Sequence, residues 1–134
     1  MKTSTNALTK RLCAQKGWPH ECVQSWRGKV RHDLFGIADS IILFPGGEQW
    51  VQNCSYGTLS AHRKEIDKNP HIQYLDQEKK QIALWEWRKK KVDGRGLWFL
   101  RVQEREDGKW GEIYDWDGPF DLYPKKLTIQ KAKQ

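Results

Sequence analysis

The segment of residues 37–54 constrains the fold of this chain more than any other. Residues 41–44 form an unbroken apolar run, residues 45–47 read Pro-Gly-Gly, and residues 50–54 read Trp-Val-Gln-Asn-Cys. Two strand patterns separated by such a turn are typical of a β-hairpin. The pattern predicts strands at 37–44 and 50–54. The first is apolar on both faces, so we expect a central strand that is covered on both sides.

Periodicity and turn signals predict the remaining elements around this hairpin. Helices are predicted at 7–16, with Thr5 or Asn6 as N-cap and Gly17 at the end, and at 61–68, capped by Thr58 or Ser60 and stopped by Pro70. Further strands are predicted at 22–26, 82–87, 97–102 and 110–114, with Asp-Gly turns at 93–94 and 107–108. The order predicts one α/β (α+β) domain over 1–134, with a central mixed β-sheet flanked by helices and an aromatic and basic C-terminal extension over 107–134.

Charge points to a polyanionic partner. The 134 residues carry 24 Lys and Arg against 17 Asp and Glu, a net charge of +7. The densest basic run is Arg88, Lys89, Lys90 and Lys91, and a second basic loop contains Arg27, Lys29 and Arg31. Contacts of this kind to phosphates give affinity without sequence preference. We therefore expect these residues to bind nucleic acid.

Cysteine usage and hydropathy restrict the compartment. The three Cys residues are scattered, with no Cys-x-x-Cys pair, so we expect no structural zinc site and reduced thiols in a cytoplasmic setting. No apolar run reaches about 18 residues, and the first eight residues are too polar for a signal peptide. The sequence therefore predicts neither a membrane span nor secretion.

Asp39 is the most informative polar residue of the hairpin. Counting outward from the turn places it opposite Gln52 or Asn53, and the pleat places Gln52 and Cys54 on one face. A carboxylate on an apolar strand needs a partner. Mg²⁺ or Mn²⁺ can be held by one or two carboxylates together with a carbonyl oxygen, and can activate water for phosphodiester hydrolysis. The pattern indicates a candidate metal site.

The run RHDLFGIADSIILFPGGEQWVQNCS, residues 31–55, resembles the core of the PD-(D/E)XK nuclease superfamily. More narrowly, it is similar to small phage and archaeal proteins of the Holliday-junction-resolvase type, and the resemblance covers residues 6–102. It implies a restriction-endonuclease-like core and a metal-dependent DNA endonuclease, selective for branched or structured DNA and acting as a homodimer.

The resemblance assigns roles to individual positions. Asp39 matches the first metal ligand and Gln52 the acidic position of the triplet, where its carbonyl oxygen can still bind a hard cation. Cys54 stands at the position of the family's Lys, so Lys64 or Arg63 on the following helix would supply the missing cation. The remaining candidates are Glu21, at the upstream acidic position, and Asp33, a second metal carboxylate. Asp33 could equally cap the turn before the strand.

The departure at Cys54 leaves alternatives open. The chain could keep the nuclease fold and bind DNA without cutting it. It could also inhibit or recruit another protein through its Trp-rich C-terminal part. Cys54 itself would then be an ordinary core residue.

Overall fold

The computed structural model describes residues 4–23, 25–27, 30–116 and 118–122, with the backbone alone for 25–27 and 30–32. Its elements, in chain order, are α1 (Thr5–Lys16), β1 (His20–Cys22), β2 (Ser25–Arg27), β3 (Val30–His32), β4 (Ser40–Phe44), β5 (Gly47–Ser55), α2 (Leu59–Lys68), α3 (Ile72–Gln77), β6 (Ile82–Val92), β7 (Arg95–Glu106), β8 (Lys109–Trp110) and β9 (Tyr114–Asp115).

One mixed sheet organises these elements. Its strand order is β1-β4-β5-β6-β7-β8, with β9 also paired to β7, while β2 and β3 form a separate ribbon. β5 and β6 run parallel, and the other pairs in the sheet are antiparallel. A parallel pair needs a long crossover, which α2 and α3 provide. The result is a small mixed α+β domain, as the order of predicted elements indicates.

The sheet buries a separate core on each face, because successive strand residues point to opposite sides. The core beneath α1 contains Leu8, Val51 and Trp85. The core beneath α2 and α3 contains Trp50 and Leu84. On β6, all residues from 82 to 87 are buried, as expected for a strand with helices on both faces.

Several local predictions are confirmed with small shifts. The first helix ends at Gly17, which adopts a left-handed φ of 75°, but Ser4 is its N-cap and accepts a hydrogen bond from the Ala7 N–H at 3.1 Å. The hairpin forms as predicted, although β4 starts at Ser40. The residues before it form a tight turn in which the Leu34 N–H donates to the Ala38 carbonyl.

Other predictions are wrong, mostly because strand pairing and helix packing depend on contacts between distant parts of the chain. The single strand predicted at 22–26 is two strands, β1 in the main sheet and β2 in the separate ribbon. β4 lies between β1 and β5, but it is not covered on both faces as predicted. Leu43 is 47% exposed, because α2 packs on β5 and β6 and not on β4. The short helix α3 was not predicted, because six residues give too little periodicity.

Candidate metal and nucleic-acid site

Asp39 lies where the sequence places it, at the entrance to β4 and next to β5. The last paired position of the hairpin is Ser40 opposite Val51, and the Asp39 N–H donates to the Val51 carbonyl at 3.0 Å. The next residue on β5 is Gln52, so the predicted register is confirmed. Asp39 is only 3% exposed.

Amide groups from β5 hold the Asp39 carboxylate in a fixed orientation. The Asn53 backbone N–H donates to both carboxylate oxygens at 3.2 and 3.3 Å, and the Asn53 side-chain amide donates to Oδ1 at 2.9 Å. The Gln52 Nε2 donates to Oδ2 at 3.4 Å. Hydrogen bonds to a carboxylate favour its charged form. The site therefore contains a buried carboxylate whose orientation is set by the amide groups of Gln52 and Asn53.

Asn53 extends this cluster towards α1. Its side-chain nitrogen also donates to Asn6 Oδ1 at 2.8 Å and to Ser40 Oγ at 3.2 Å, and its side-chain oxygen accepts from the Thr9 hydroxyl. The sequence predicts Asn53 near Asp39, with a backbone carbonyl there as a candidate metal ligand, but gives its side chain no role. The structure shows that it couples α1 to the candidate site.

Cys54 lies at the triplet position of the family's Lys but carries no charge. The side chain is 0% exposed, and burial raises the pKa of its thiol, with the charges of Asp39 and Glu86 adding to the effect. Its Sγ donates a weak hydrogen bond to the Gln52 carbonyl at 3.6 Å. A neutral thiol cannot stabilise charge on a phosphate.

Glu86 and Arg101 form a pair that the sequence reasoning missed. Glu86 stands opposite Cys54 in the parallel register of β5 and β6, and its side chain is 2% exposed. It accepts hydrogen bonds from the Gly57 N–H at 2.9 Å and from Arg101 Nε at 2.8 Å. The available signal was one acidic residue between two tryptophans in a buried strand. Arg101 brings a guanidinium group two strands from Cys54.

The other candidate carboxylates are less closely placed. Glu21 is exposed on β1 opposite Ile41, diagonal to Asp39 on the same face of the sheet. Asp33 is half-buried, and its carbonyl accepts from the Gly36 N–H at 3.3 Å, as expected for a turn residue. Among the described residues, no three His, Cys, Asp or Glu side chains form a group that could hold a metal ion. A cation here would depend on Asp39, Gln52 and water.

The side chains of the two candidate cations on α2, Arg63 and Lys64, have different surroundings. Arg63 is half-buried and turned to the sheet, where its guanidinium donates to Gln103 Oε1 at 3.0 Å and to Ser60 Oγ at 3.3 Å. Lys64 is exposed. Of the two, Arg63 is the one fixed against the sheet face that carries Gln52 and Cys54.

A basic ribbon, residues 88–99 of the β6–β7 hairpin, projects from the same end of the sheet. β5 pairs with β6 only as far as Trp87, so the two ribbon strands continue without it. All four cations at 88–91 are exposed. Arg88 lies 4.5 Å from the ring centroid of Tyr56, and Lys90 lies 5.0 Å from that of Phe99. The strand alternation places cations on both faces of the ribbon.

The second predicted basic loop cannot be placed in the same way. Lys29 lies outside the described residues, and the side chains of Arg27 and Arg31 lie outside the described atoms. Their predicted contacts with nucleic acid stay a prediction. Position 27 lies on β2 and position 31 on β3, in the separate ribbon.

Comparison of the chain with protein-family models, with curated proteins and with solved structures finds no match. Within the described ranges, no helix is long and apolar enough to cross a membrane.

Proposed function

We propose that this protein is a metal-dependent DNA endonuclease of the PD-(D/E)XK type. The observation that carries the proposal is the buried Asp39 carboxylate at the entrance to the hairpin, in hydrogen-bond contact with Gln52 on the neighbouring strand. A helix, the hairpin with its Asp and its triplet, and a helix with basic residues follow each other in the order that the resemblance implies.

The donor set fits a hard divalent cation with few protein ligands. Turning the Gln52 amide about its last bond would bring its oxygen, in place of Nε2, to the Asp39 carboxylate, so that two oxygen ligands face the same point. Mg²⁺ or Mn²⁺ held there would activate water and neutralise charge on the phosphate. Asn53 would keep the carboxylate oriented.

In this proposal, the side chains that stabilise the charge of the phosphate lie outside the triplet. Arg63 and Arg101 project from α2 and β7 onto the sheet face that also carries Cys54, and both are held by hydrogen bonds. The basic ribbon lies at the same end of the sheet and would bind the DNA backbone. A branched substrate cut symmetrically would require two copies of the chain, which light scattering of the DNA complex would detect.

A cleavage assay tests the proposal. A four-way junction, a flap, a duplex and single-stranded DNA are incubated with Mg²⁺, Mn²⁺ or EDTA. Asp39→Asn should abolish cutting, whereas Asp107→Asn, a matched change at an exposed turn, should retain it. Gln52→Met provides a second loss-of-ligand variant, and cooperative melting checks that each variant is folded. Equal cutting by wild type and Asp39→Asn would mean contamination and would refute the proposal.

A second candidate function is DNA binding without cleavage, and Cys54 specifically favours it. A buried neutral thiol where the family has Lys removes one part of the catalytic machinery. Under this alternative, gel shifts persist in EDTA and weaken steeply with salt, while no metal gives products. Binding that persists unchanged at high salt would instead indicate an apolar protein partner.

A further inference from the structure

A cavity lies at the opposite end of the sheet from Asp39. It encloses about 320 Å³ beside the Pro-Gly-Gly turn, where β4 ends and β5 begins. Four aromatic side chains contribute to its lining, together with Gln49 and Glu104; they are Phe44, Trp85, Tyr114 and Trp116. We call this space the aromatic cavity. Its residues take no part in the proposed nuclease site.

The rings of the aromatic cavity stand at steep angles to one another. The Trp85 and Trp116 centroids are 5.1 Å apart at an interplanar angle of 81°, and those of Phe44 and Trp116 are 6.5 Å apart at 46°. Trp116 is held in place, because its ring stacks on Trp18 at 5.5 Å and its backbone N–H donates to the Leu100 carbonyl at 2.9 Å. The walls therefore keep their shape.

The polar groups of the aromatic cavity converge on one carboxylate. Gln49 Nε2 donates to Glu104 Oε2 at 3.0 Å, and burial together with the nearby Glu104 carboxylate raises the pKa of Tyr114. Trp85 Nε1 donates to Gln49 Oε1 at 3.2 Å, which holds the amide in this orientation. The Gln49 and Trp85 donors are thus occupied within the wall, and Trp85 is fully buried. The part-exposed rings of Phe44, Tyr114 and Trp116 and the negative charge of Glu104 are left to meet a ligand.

Charge distinguishes this cavity from the rest of the protein. Among the described lining residues there is no Lys, Arg or His, although the chain as a whole has a net charge of +7. A phosphate would be repelled by Glu104. A cation would be attracted by the carboxylate and by the negative faces of the rings, which act within about 6 Å of the centroid.

We propose that the aromatic cavity binds a methylated ammonium group. Such a group has a diffuse charge and apolar methyls, so it loses little hydration and contacts several ring faces at once. Glu104 at the wall supplies the charge complement. Two sources share this chemistry: a free quaternary ammonium compound and a methylated lysine within a peptide. The inference is independent of the proposed nuclease function.

Titration monitored by tryptophan fluorescence and calorimetry tests the inference on the full chain. The probes are tetramethylammonium, choline, a peptide containing trimethyl-lysine, the same peptide with unmodified lysine, and neutral tert-butanol as an uncharged isostere. The methylated cations should bind and tert-butanol should not. A preference of tenfold or more for the trimethyl-lysine peptide over choline would assign the protein source, and the reverse order would assign the free compound.

Variants make the test specific. Glu104→Gln should weaken binding about tenfold, while Glu106→Gln, the same change at an exposed position two residues along β7, should leave it unaltered. Trp116→Leu should abolish binding, and Tyr114→Leu, which removes an exposed ring and should weaken binding, covers the case in which the tryptophan variant does not fold. Binding of neutral tert-butanol or of nucleoside monophosphates as tightly as the cations would overturn the proposal, as would no binding by any probe.

Discussion

Replacing Gln52 by Glu probes the candidate metal site most directly. The change places a second carboxylate where Gln52 Nε2 now lies 3.4 Å from Asp39 Oδ2, in surroundings where both side chains are buried. Two unit charges about 4 Å apart repel by about 4 kcal/mol at an effective dielectric constant of about 20. Keeping the new carboxyl protonated at pH 7 costs about 3.7 kcal/mol, because its ordinary pKa is about 4.3.

Charge repulsion and protonation of the new carboxyl thus cost a similar amount, so Gln52→Glu should lower the free energy of unfolding by about 3–4 kcal/mol in EDTA at pH 7. For a domain of this size the midpoint of thermal unfolding should fall by about 10 °C. The folded-state pKa of the carboxyl pair is raised above its unfolded value, so the penalty should shrink as the pH falls from 7 to 5. Urea unfolding across this pH range measures both effects.

Divalent cations should restore the stability that Gln52→Glu loses. Two carboxylates that repel each other form a better ligand set than a carboxylate and an amide, and Mn²⁺ at 100 times its Kd would restore about 2.7 kcal/mol. Gln103→Glu is the matched control, because Gln103 is equally buried on the same sheet face but contacts Arg63. Equal stability of Gln52→Glu and wild type in EDTA, or equal rescue of the control by Mn²⁺, would refute the reasoning.

Three further predictions concern the surroundings of the site. Arg101→Met should destabilise the fold by about 2 kcal/mol in urea, because it leaves the Glu86 carboxylate buried without its cation; a smaller loss in the Glu86→Gln background would verify the coupling. A thiol reagent at pH 8 should modify Cys22 rapidly and Cys54 only on unfolding, because burial raises the pKa of the Cys54 thiol; rapid loss of two or three thiols in the native protein would contradict this. Lys90→Ala should reduce the slope of log binding constant against log salt by about 0.9 on every DNA tested, and an unchanged slope would remove Lys90 from the phosphate contacts.

Local features of the chain can be predicted from the sequence because they depend on residues that are close together along the chain. Gly17 ends α1 because few other residues adopt its left-handed backbone readily. The Asp-Gly pairs at 93–94 and 107–108 have positive φ at both residues, which is what two-residue hairpin turns require. The predicted position of Asp39 opposite Gln52 follows from counting along one hairpin. In each case the determining interaction spans fewer than about fifteen residues.

The sequence by itself therefore determined the helices α1 and α2, the β4–β5 hairpin and the meeting of Asp39 with Gln52. Only the tertiary structure decided that Glu86 pairs with Arg101 beside Cys54, and that Phe44, Trp85 and Trp116 enclose one cavity. Glu86, Arg101 and Trp85 lie on strands whose neighbours are set by the crossover between β5 and β6 and by the register of β6 with β7, and Trp116 lies just after β9. Strand order and register depend on which faces can be buried together across the whole sheet, and no local pattern encodes that choice.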